Sequence, residues 1–391
     1  MSDQRISTKE SILIVDDLPA NLRLLSQMLA EQGYGVRAVT SGARALESIA
    51  ASPPDLILLD IRMPEMDGYT VCERLKARPN TREIPVVFIS ALGETEDKVR
   101  AFAVGGVDYV TKPFHVEEVL ARVRTHLDLR RLQKQLQEAN QRMEQELILA
   151  GQVQARFLPS TPPSIPGWQF AFALQPARKT SGDFYDVYTL PNGQLAILIA
   201  DVVDKGVGAA LTMVLSWSLL RTGALEHPTA PAQVFDVVNR RLLEDAHTGD
   251  FVTVFYAVLD PATGSLVYGN AGHHPPYLLR GPADQQLEEL GEPSLPLGIL
   301  LEATWEEGQV QMNPGDALVL YTDGVADAQD AEGHFYGHQR LRASVRAALD
   351  TRAGRPALAQ GLLEAILGDV QRFVAGAPQA DDITMVVVTQ D

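Results

Sequence analysis

Residues 115–159 read HVEEVLARVRTHLDLRRLQKQLQEANQRMEQELILAGQVQARFLP. Apolar residues recur at Leu129, Leu136, Met143, Ala150 and Phe157, with Leu132, Ala139 and Val153 three positions after the first, second and fourth of them. This spacing is a heptad seam with apolar a and d positions. No proline and a single glycine, Gly151, fall between His115 and Leu158, which predicts one nearly continuous helix, on the order of 65 Å long. Glu146 at a d position and alanine at two seam positions weaken the seam, so it suits a switchable dimer better than a permanent rod. The alternative is a lone helix folded back on one of its neighbours. An Asp-rich module precedes the helix and a different one follows it.

A chain of 391 residues predicts two or three domains, each able to bury its own core. No apolar run approaches the roughly 18 to 20 residues that span a bilayer, and residues 1–10 are polar, so a cytoplasmic protein with no membrane partner is expected. Cys72 is the lone cysteine, which rules out an internal disulfide and a thiolate zinc cluster, and it reads as a small buried hydrophobe. The formal net charge of −17 argues against a nucleic-acid surface, which needs a clustered basic face. Either the acidic excess is a generic solvated surface, or the aspartates gather at cation sites.

Before the helix, residues 11–15 form a β-branched run that ends in Asp16 and Asp17. An amphipathic stretch (Leu22, Leu25, Leu29), a strand at 36–39 and a helix at 42–50 follow, and 55–60, 85–89 and 107–110 read as three further strands. This alternation predicts an α/β doubly wound parallel sheet of five strands with both faces covered. All carboxyl ends of such a sheet point one way, and they carry Asp16, Asp17, Asp60, Ser90 and Lys112. Three carboxylates on one edge repel one another unless a hard cation shares them, and oxygen ligands with retained waters suit Mg2+. With Lys112 to balance a further anion, the set suits Asp60 as a nucleophile that accepts a phosphoryl group. An aspartate at a strand end is often only a turn or helix cap, but five positions here agree on one mechanism.

The strings IVDD (14–17), LLDIRMPEMDG (58–68), Ser90-Ala91 and Thr111-Lys112-Pro113 resemble the receiver domain of bacterial two-component response regulators. The resemblance implies Asp60 as phosphoacceptor, with Asp16, Asp17, Asp60 and the carbonyl of Arg62 around Mg2+. It also implies Ser90 and Tyr109 as switch residues beside Lys112, a cis Lys112–Pro113 bond, and a separate sensor histidine kinase as partner. Phosphorylation would add roughly 1.5 to 2 negative charges beside Ser90.

After the helix, residues 175–190 and 193–201 read as consecutive strands joined by a Pro-Asn-Gly turn at 191–193. Helices are predicted at 206–225, 231–246, 337–349 and 356–374, and strands at 251–259, 266–271, 276–279, 317–321 and 383–389. Grouped strands and grouped helices predict α+β, two antiparallel sheets with helices outside. Gly182-Asp183, Asp201, Asp323-Gly324 and Asp381-Asp382 each adjoin an apolar strand. Carboxylates dispersed in sequence but gathered at strand ends suit a site for two divalent ions about 3.5 to 4 Å apart, which activate a water and clamp phosphoryl oxygens. No Ser-His or Cys-His pair with motif context competes as a nucleophile.

The strings SGDFYDV, ADVVDKGVGAAL, NAGHHPP, YTDGVADA and ADDITMVVV resemble metal-dependent PPM-type serine/threonine phosphatases, of the stage-II-sporulation-E and sigma-regulation branch. The lead-in QVQARFLP (152–159) is similar to the regulatory helix before such domains. The resemblance implies Asp183, Asp201, Asp323 and Asp381 as the catalytic metal ligands for two Mn2+ or Mg2+. The carbonyl of Val202 is implied as a further ligand, and Asp382 as the neighbour able to exchange roles with Asp381. Two departures stand out. Asp204, with Val203 before it, replaces the Ser-Gly of the family's Asp-Val-Ser-Gly-Lys-Gly loop, which either tightens metal binding or strains a turn that wanted Gly. Asp327 stands where the family tends to have Glu. His273 and His274 read as packing residues, as do Trp168, Trp217 and Trp305.

Three parts are expected: a receiver at 1–127, a coiled-coil linker at 128–158 and a phosphatase at 159–391. The expected function is a response regulator in which phosphorylation of Asp60 controls a phosphoserine/phosphothreonine protein phosphatase. By the resemblance its substrate is a phosphorylated anti-sigma-factor antagonist, and a homodimer forms through the linker helix. The competing reading is a receiver-controlled binding adaptor on a non-catalytic phosphatase scaffold.

Overall fold

The structure is a computed structural model that describes residues 9–91, 95–245, 249–281, 286–292, 294–350 and 359–391. It divides into two compact units, Met1–Arg142 and Met143–Asp391.

In the first unit, β1 (Ser11–Val15), β2 (Gly35–Val39), β3 (Leu56–Asp60), β4 (Val86–Ala91) and β5 (Asp108–Lys112) alternate with α1 (Pro19–Glu31), α2 (Gly42–Ala51), α3 (Gly68–Lys76) and α4 (Thr95–Ala103). All strand pairs are parallel, in the order β2-β1-β3-β4-β5. Alternation sorts the side chains onto two faces. Leu13, Val15, Ile57, Leu59 and Phe88 pack with α2 and α3, while Ile12, Ile14, Leu58 and Val87 pack with α1 and with Val119, Val123 and Leu127. Those last three open α5 (Val116–Gln154), which continues into the second unit. Cys72 is fully buried, and burial pushes its thiol up to about 11. The Lys112–Pro113 peptide is cis.

The second unit holds β6 (Trp168–Gln175), β7 (Phe184–Thr189), β8 (Leu195–Val202), α6 (Val207–Glu226), α7 (Pro231–Asp245), β9 (Val252–Leu259) and β10 (Ser265–Ala271). It goes on through β11 (Tyr277–Leu279), β12 (Leu287–Glu289), β13 (Glu307–Gln311), β14 (Ala317–Tyr321), α8 (Asp323–Ala326), α9 (Gly337–Asp350), α10 (Ala359–Val374) and β15 (Ile383–Gln390). Two antiparallel sheets form, β13-β10-β9-β8-β7 and β12-β11-β14-β15-β6. Strand β8 shows why they stack: Leu195, Ile197 and Ile199 meet Leu318, Leu320, Val386 and Val388 of the other sheet, while Ala196, Leu198 and Ala200 face α6 and α7. On the outer side of the second sheet α9 and α10 cover Val319, Tyr321, Met385 and Val387.

Three expectations change. The strand expected over 175–190 resolves into the last residue of β6, a loop at 176–183 and β7, because the N–H groups of Ala177, Ser181 and Gly182 donate to side chains instead of a ladder. The helix expected to reach Leu158 stops at Gln154 and closes in tight turns, with Phe157 packed edge-on to Trp217 at 5.4 Å. Pro159 bars the helix from running on through Leu158, since the residue before a proline avoids the helical region. Finally, α6 is long and apolar enough by length and composition to cross a bilayer, although no such run was expected. It is a core helix: Met213, Leu220 and Ala224 are fully buried in the cluster beneath it, and Arg221 pairs with the buried Asp186 at 2.6 Å.

Candidate functional site

The first carboxylate group lies at the carboxyl edge of the parallel sheet, where β1 and β3 run side by side and the chain direction across the sheet reverses. Asp16, Asp17 and Asp60 each bring a carboxylate oxygen within 4.8 Å of the others. Lys112 Nζ donates to Asp60 Oδ2 at 2.8 Å and lies 2.9 Å from Asp16 Oδ2. The Asn21 amide donates to both oxygens of Asp16, at 3.0 and 2.9 Å, and the Leu18 N–H donates to Oδ1. Asp17, Asp60, Arg62, Ser90 and Lys112 line a cavity of about 260 Å3. Burial raises the Asp60 pKa, and the Lys112 contact only partly opposes this. Burial works against the Lys112 charge too, but its bonds to Asp60 and Asp16 win and raise its pKa. Tyr109 packs on Phe102 at 6.1 Å and lies under the Arg122 guanidinium.

The second group lies in the second unit. Asp183, 2% exposed, precedes β7; Asp201 sits near the end of β8; Asp323 opens α8; Asp381 and Asp382 lead into β15. Asp183 Oδ2 accepts from the hydroxyls of Thr322 and Thr384, both at 2.6 Å. Burial and the Asp201 charge hold Asp183 well above the usual carboxylate range. Burial, then Asp323, push Asp201 up to about 7, and burial and Asp381 raise Asp323. Gly324 is required here, because a Cβ would sit 1.9 Å from the Asp382 carbonyl oxygen. The aspartates converge, yet no three of Asp183, Asp201, Asp323 and Asp381 meet the 4.8 Å spacing of the first group.

The two members of the Asp381-Asp382 pair do different things. Asp382 Oδ1 accepts from the Ala177 N–H at 2.7 Å, and its Oδ2 accepts from Ser181 Oγ and the Gly182 N–H at 2.8 and 2.9 Å. It is therefore the anchor of the loop that presents Asp183. The same loop is clasped from another side by Gln154, whose amide donates to the Ser181 carbonyl at 2.6 Å and accepts from its N–H at 3.0 Å. Close approach of α5 to that loop needs Gly151, since a Cβ would lie 2.0 Å from the Lys179 carbonyl oxygen. Asp381 instead pairs with Lys205 Nζ at 2.8 Å. Val202, implied through its carbonyl, is buried next to Asp201.

Asp204 adopts φ +76°, the left-handed region that a glycine would enter freely. His273 is fully enclosed, with Nδ1 at 2.8 Å from Thr253 Oγ1 and Nε2 at 3.2 Å from the Tyr321 carbonyl, and burial drops its pKa to about 3. It is neutral packing, whereas His274 stacks on His338 with ring centres 5.3 Å apart. Asn21, Gln154, Ser181, Lys205, Thr322 and Thr384 carried no assigned role in the sequence reading. All but Asn21 lie inside the strings quoted above.

Uncompensated negative charge in a buried set of oxygen donors is the chemistry that hard divalent cations satisfy, so the residues of both groups fit such ions. The family model for Stage II sporulation protein E (SpoIIE) matches residues 191–391. The chain belongs to the SpoIIE family. The response regulator receiver domain model matches residues 12–124 of this SpoIIE-family chain. Protein IcfG of Synechocystis sp. is 34% identical over 269 residues, 62% of this chain and 41% of that protein. A probable cyclic di-GMP phosphodiesterase of Vibrio cholerae is 45% identical over 138 residues, 35% of this chain and 31% of that protein. The chain thus spans about two fifths or less of the length of these two relatives. Among solved structures, the SiaA-PP2C domain of Pseudomonas aeruginosa aligns with a TM-score of 0.57 at 20% identity, over 65% of this chain and 99% of that one, a likeness of fold. The SpoIIE-family chain therefore joins a receiver domain to a PPM-type phosphatase domain.

Proposed function

We propose that the second unit hydrolyses phosphoserine and phosphothreonine in a protein, and that phosphorylation of Asp60 controls it. The observation that carries this reading is the buried convergence of Asp183, Asp201 and Asp323, with proton affinities raised by burial and by neighbouring carboxylates. Asp183, Asp201, Asp323, Asp381 and the Val202 carbonyl would hold two Mn2+ or Mg2+. Such ions, when bound, supply an activated water and charge to clamp the phosphoryl oxygens. The protein's own part is positional. Thr322 and Thr384 fix Asp183, and Asp382, with both oxygens engaged by the 177–182 loop, favours Asp381 as the ligand of that pair.

In the receiver, Asp16, Asp17, Asp60 and the Arg62 carbonyl would hold Mg2+, and Lys112 steadies Asp60 as the acceptor. Ser90 and Tyr109 are the residues that respond to the added charge, and a sensor histidine kinase is the donor. The substrate of this reading is a phosphorylated anti-sigma-factor antagonist in the cytoplasm. Exposed Leu129, Leu132, Leu136, Met143, Leu149 and Val153 along α5 support a homodimer through that helix.

Hydrolysis of a phosphoserine peptide with Mn2+, with and without beryllofluoride, tests both halves. Asp183→Asn is expected to lose at least about a hundredfold in rate, and beryllofluoride to change the wild-type rate but not that of Asp60→Asn. Wild type and Asp183→Asn being equally inactive overturns the enzyme reading. An unchanged light-scattering mass with and without beryllofluoride overturns a switched dimer.

A further inference from the structure

Beside the carboxylate set of the second unit lies a cavity of about 270 Å3 that the chemistry above does not use. Its floor is apolar, built from Ala328, Val370, Val374 and Ile383. Around the floor stand four glutamines, Gln175, Gln329, Gln371 and Gln379, and among the described residues Asp381 is the one charged side chain in its lining. Gln379 Nε2 donates to the carbonyls of Gln175 and Asp381 at 2.6 and 2.7 Å, which ties one side of the rim to the carboxylate strand end. Another part of the lining follows the exit from α10, where Ala375 and Gly376 take φ of +49° and +89°. A left-handed alanine is disfavoured and persists where its surroundings over-determine it, often beside a site. The two residues lead the chain on to Ala377 and Pro378, which also line the cavity.

We propose that this cavity receives an apolar side chain of the substrate protein, that of a residue flanking the phosphorylated Ser or Thr, while the glutamine rim bonds the peptide backbone. The proposal rests on the phosphatase reading above. Asp381 and Gly324 border both the cavity and the carboxylate set, so the opening lies beside a chain whose phosphoryl group reaches the carboxylates. The volume is below the roughly 300 to 1,000 Å3 of clefts for drug-sized ligands and matches one or two side chains. Neutral amides at the rim satisfy backbone N–H and C=O groups without favouring either charge. Asp381 at the edge of an apolar floor disfavours an acidic side chain.

The test uses phosphoserine peptides with Leu, Phe or Ala at the two positions next to the phosphoserine, alongside p-nitrophenyl phosphate, which is too small to reach the cavity. The wild-type chain is expected to show kcat/KM about tenfold higher for Leu than for Ala peptides. Ala377→Phe, which fills the cavity, is expected to remove that preference while p-nitrophenyl phosphate hydrolysis stays within about twofold of wild type, and Val374→Ala, which enlarges it, to move the preference toward Phe. Thermal melting checks that each variant folds, and Val374→Ala decides if Ala377→Phe does not. Equal rates on Leu and Ala peptides, or a preference unchanged in the folded variants, overturn the proposal. Should the wild type hydrolyse neither peptide nor p-nitrophenyl phosphate, the phosphatase reading fails separately. Fluorescence anisotropy of the same peptides then decides the cavity: tighter binding of the Leu peptide that Ala377→Phe abolishes supports it, and equal binding overturns it.

Discussion

In the first unit Lys112 reaches two of three clustered aspartates, at 2.8 and 2.9 Å. In the second unit the lysine contact falls on the partly exposed Asp381, and Asp183, Asp201 and Asp323 are left to crowd one another under burial. The same residue type therefore makes two different devices. A carboxylate already paired with a lysine is stable before any cation or phosphoryl group arrives, and added charge rearranges existing contacts. Carboxylates that crowd without such a partner hold protons or need cations, so their assembly is coupled to what binds.

The largest expected effect that distinguishes the two is on Asp201. Asp201→Asn is expected to cost at least about a hundredfold in phosphopeptide hydrolysis and yet to raise the melting temperature of the metal-free chain at pH 8, because it removes a repelled charge. Asp60→Asn also removes a carboxylate that burial disfavours, but it deprives Lys112 of a partner at 2.8 Å, so it is expected to raise the melting temperature of the first unit by less than Asp201→Asn raises that of the second, or to leave it unchanged. Calorimetry without divalent ions checks this, and a fall in both variants would mean that the second site is compensated by contacts other than cations.

The pH dependence is concentrated in the second unit, where, among the described residues, three carboxylates have raised pKa values against one, Asp60, in the first. Asp183, Asp201 and Asp323 have folded pKa values above the unfolded value of 3.8, so the folded chain binds more protons than the unfolded one. The stability this contributes is fully present below about 4 and is lost as pH rises, for Asp201 through about 7. The metal-free second unit should therefore melt several degrees lower at pH 8 than at pH 5, and Mn2+ at about a hundred times its Kd should restore about 2.7 kcal/mol. Lys112, with its pKa raised above 10.5, keeps its contribution at every pH below that value and loses it only as pH rises through the folded pKa. A second unit that melts alike at pH 5 and pH 8 without metal would break the comparison.

Each site also has an amide that holds its loop, and here the expected effect is smaller. Gln154→Ala leaves the Ser181 N–H and C=O without their partner in a buried place, at a cost of about 1 to 3 kcal/mol. It is expected to raise the Mn2+ concentration for half-maximal hydrolysis about tenfold while leaving Mg2+ binding at Asp60 unchanged. Asn21→Ala should do the reverse. A metal titration of both variants separates them, and crossed effects would sink the idea that each amide serves its own carboxylates.

The first site was legible in the sequence because each of its residues ends an apolar run, so that strand direction alone gathers Asp16, Asp17, Asp60, Ser90 and Lys112 on one edge. The second was legible as aspartates beside apolar strands, but its ligand set came only through its strings, since its aspartates come from four separate places in the chain. The loop at 176–183 was taken for strand because its bonds to Asp382 and Gln154 lie 200 and 27 residues away, respectively, from Gly182 and Ser181, and no local pattern encodes them. Pro176 was the available signal. Strand β6 went unassigned although WQFAFALQ alternates, with Phe170 facing the inter-sheet core and Ala171 the helices. Gln154 looks like one more polar residue on a helix surface, and only tertiary contact buries it. Thr322 and Thr384 read as β-branched strand formers, and their hydroxyl bonds to Asp183 depend on two strands meeting.

The smallest expected effect concerns a departure that was visible from the start, Asp204. Its φ of +76° costs an L-residue other than Gly roughly 1 to 2 kcal/mol, and its carboxylate accepts the Lys205 N–H at 2.7 Å, which returns part of that cost. Asp204→Gly is therefore expected to change stability by no more than about 1 kcal/mol, in the stabilising direction, because relief of strain exceeds the loss of one exposed local bond and the greater freedom of Gly in the unfolded chain. The side chain is exposed, so its charge is screened and hydrolysis should stay within a few fold of wild type. Denaturant unfolding at matched Mn2+ measures the first expectation and a Mn2+ titration the second. A loss of Mn2+ affinity approaching that of Gln154→Ala would place Asp204 among the groups that meet the cations, and the second site would then differ from the first by a fifth carboxylate as well as by the outlying place of its lysine.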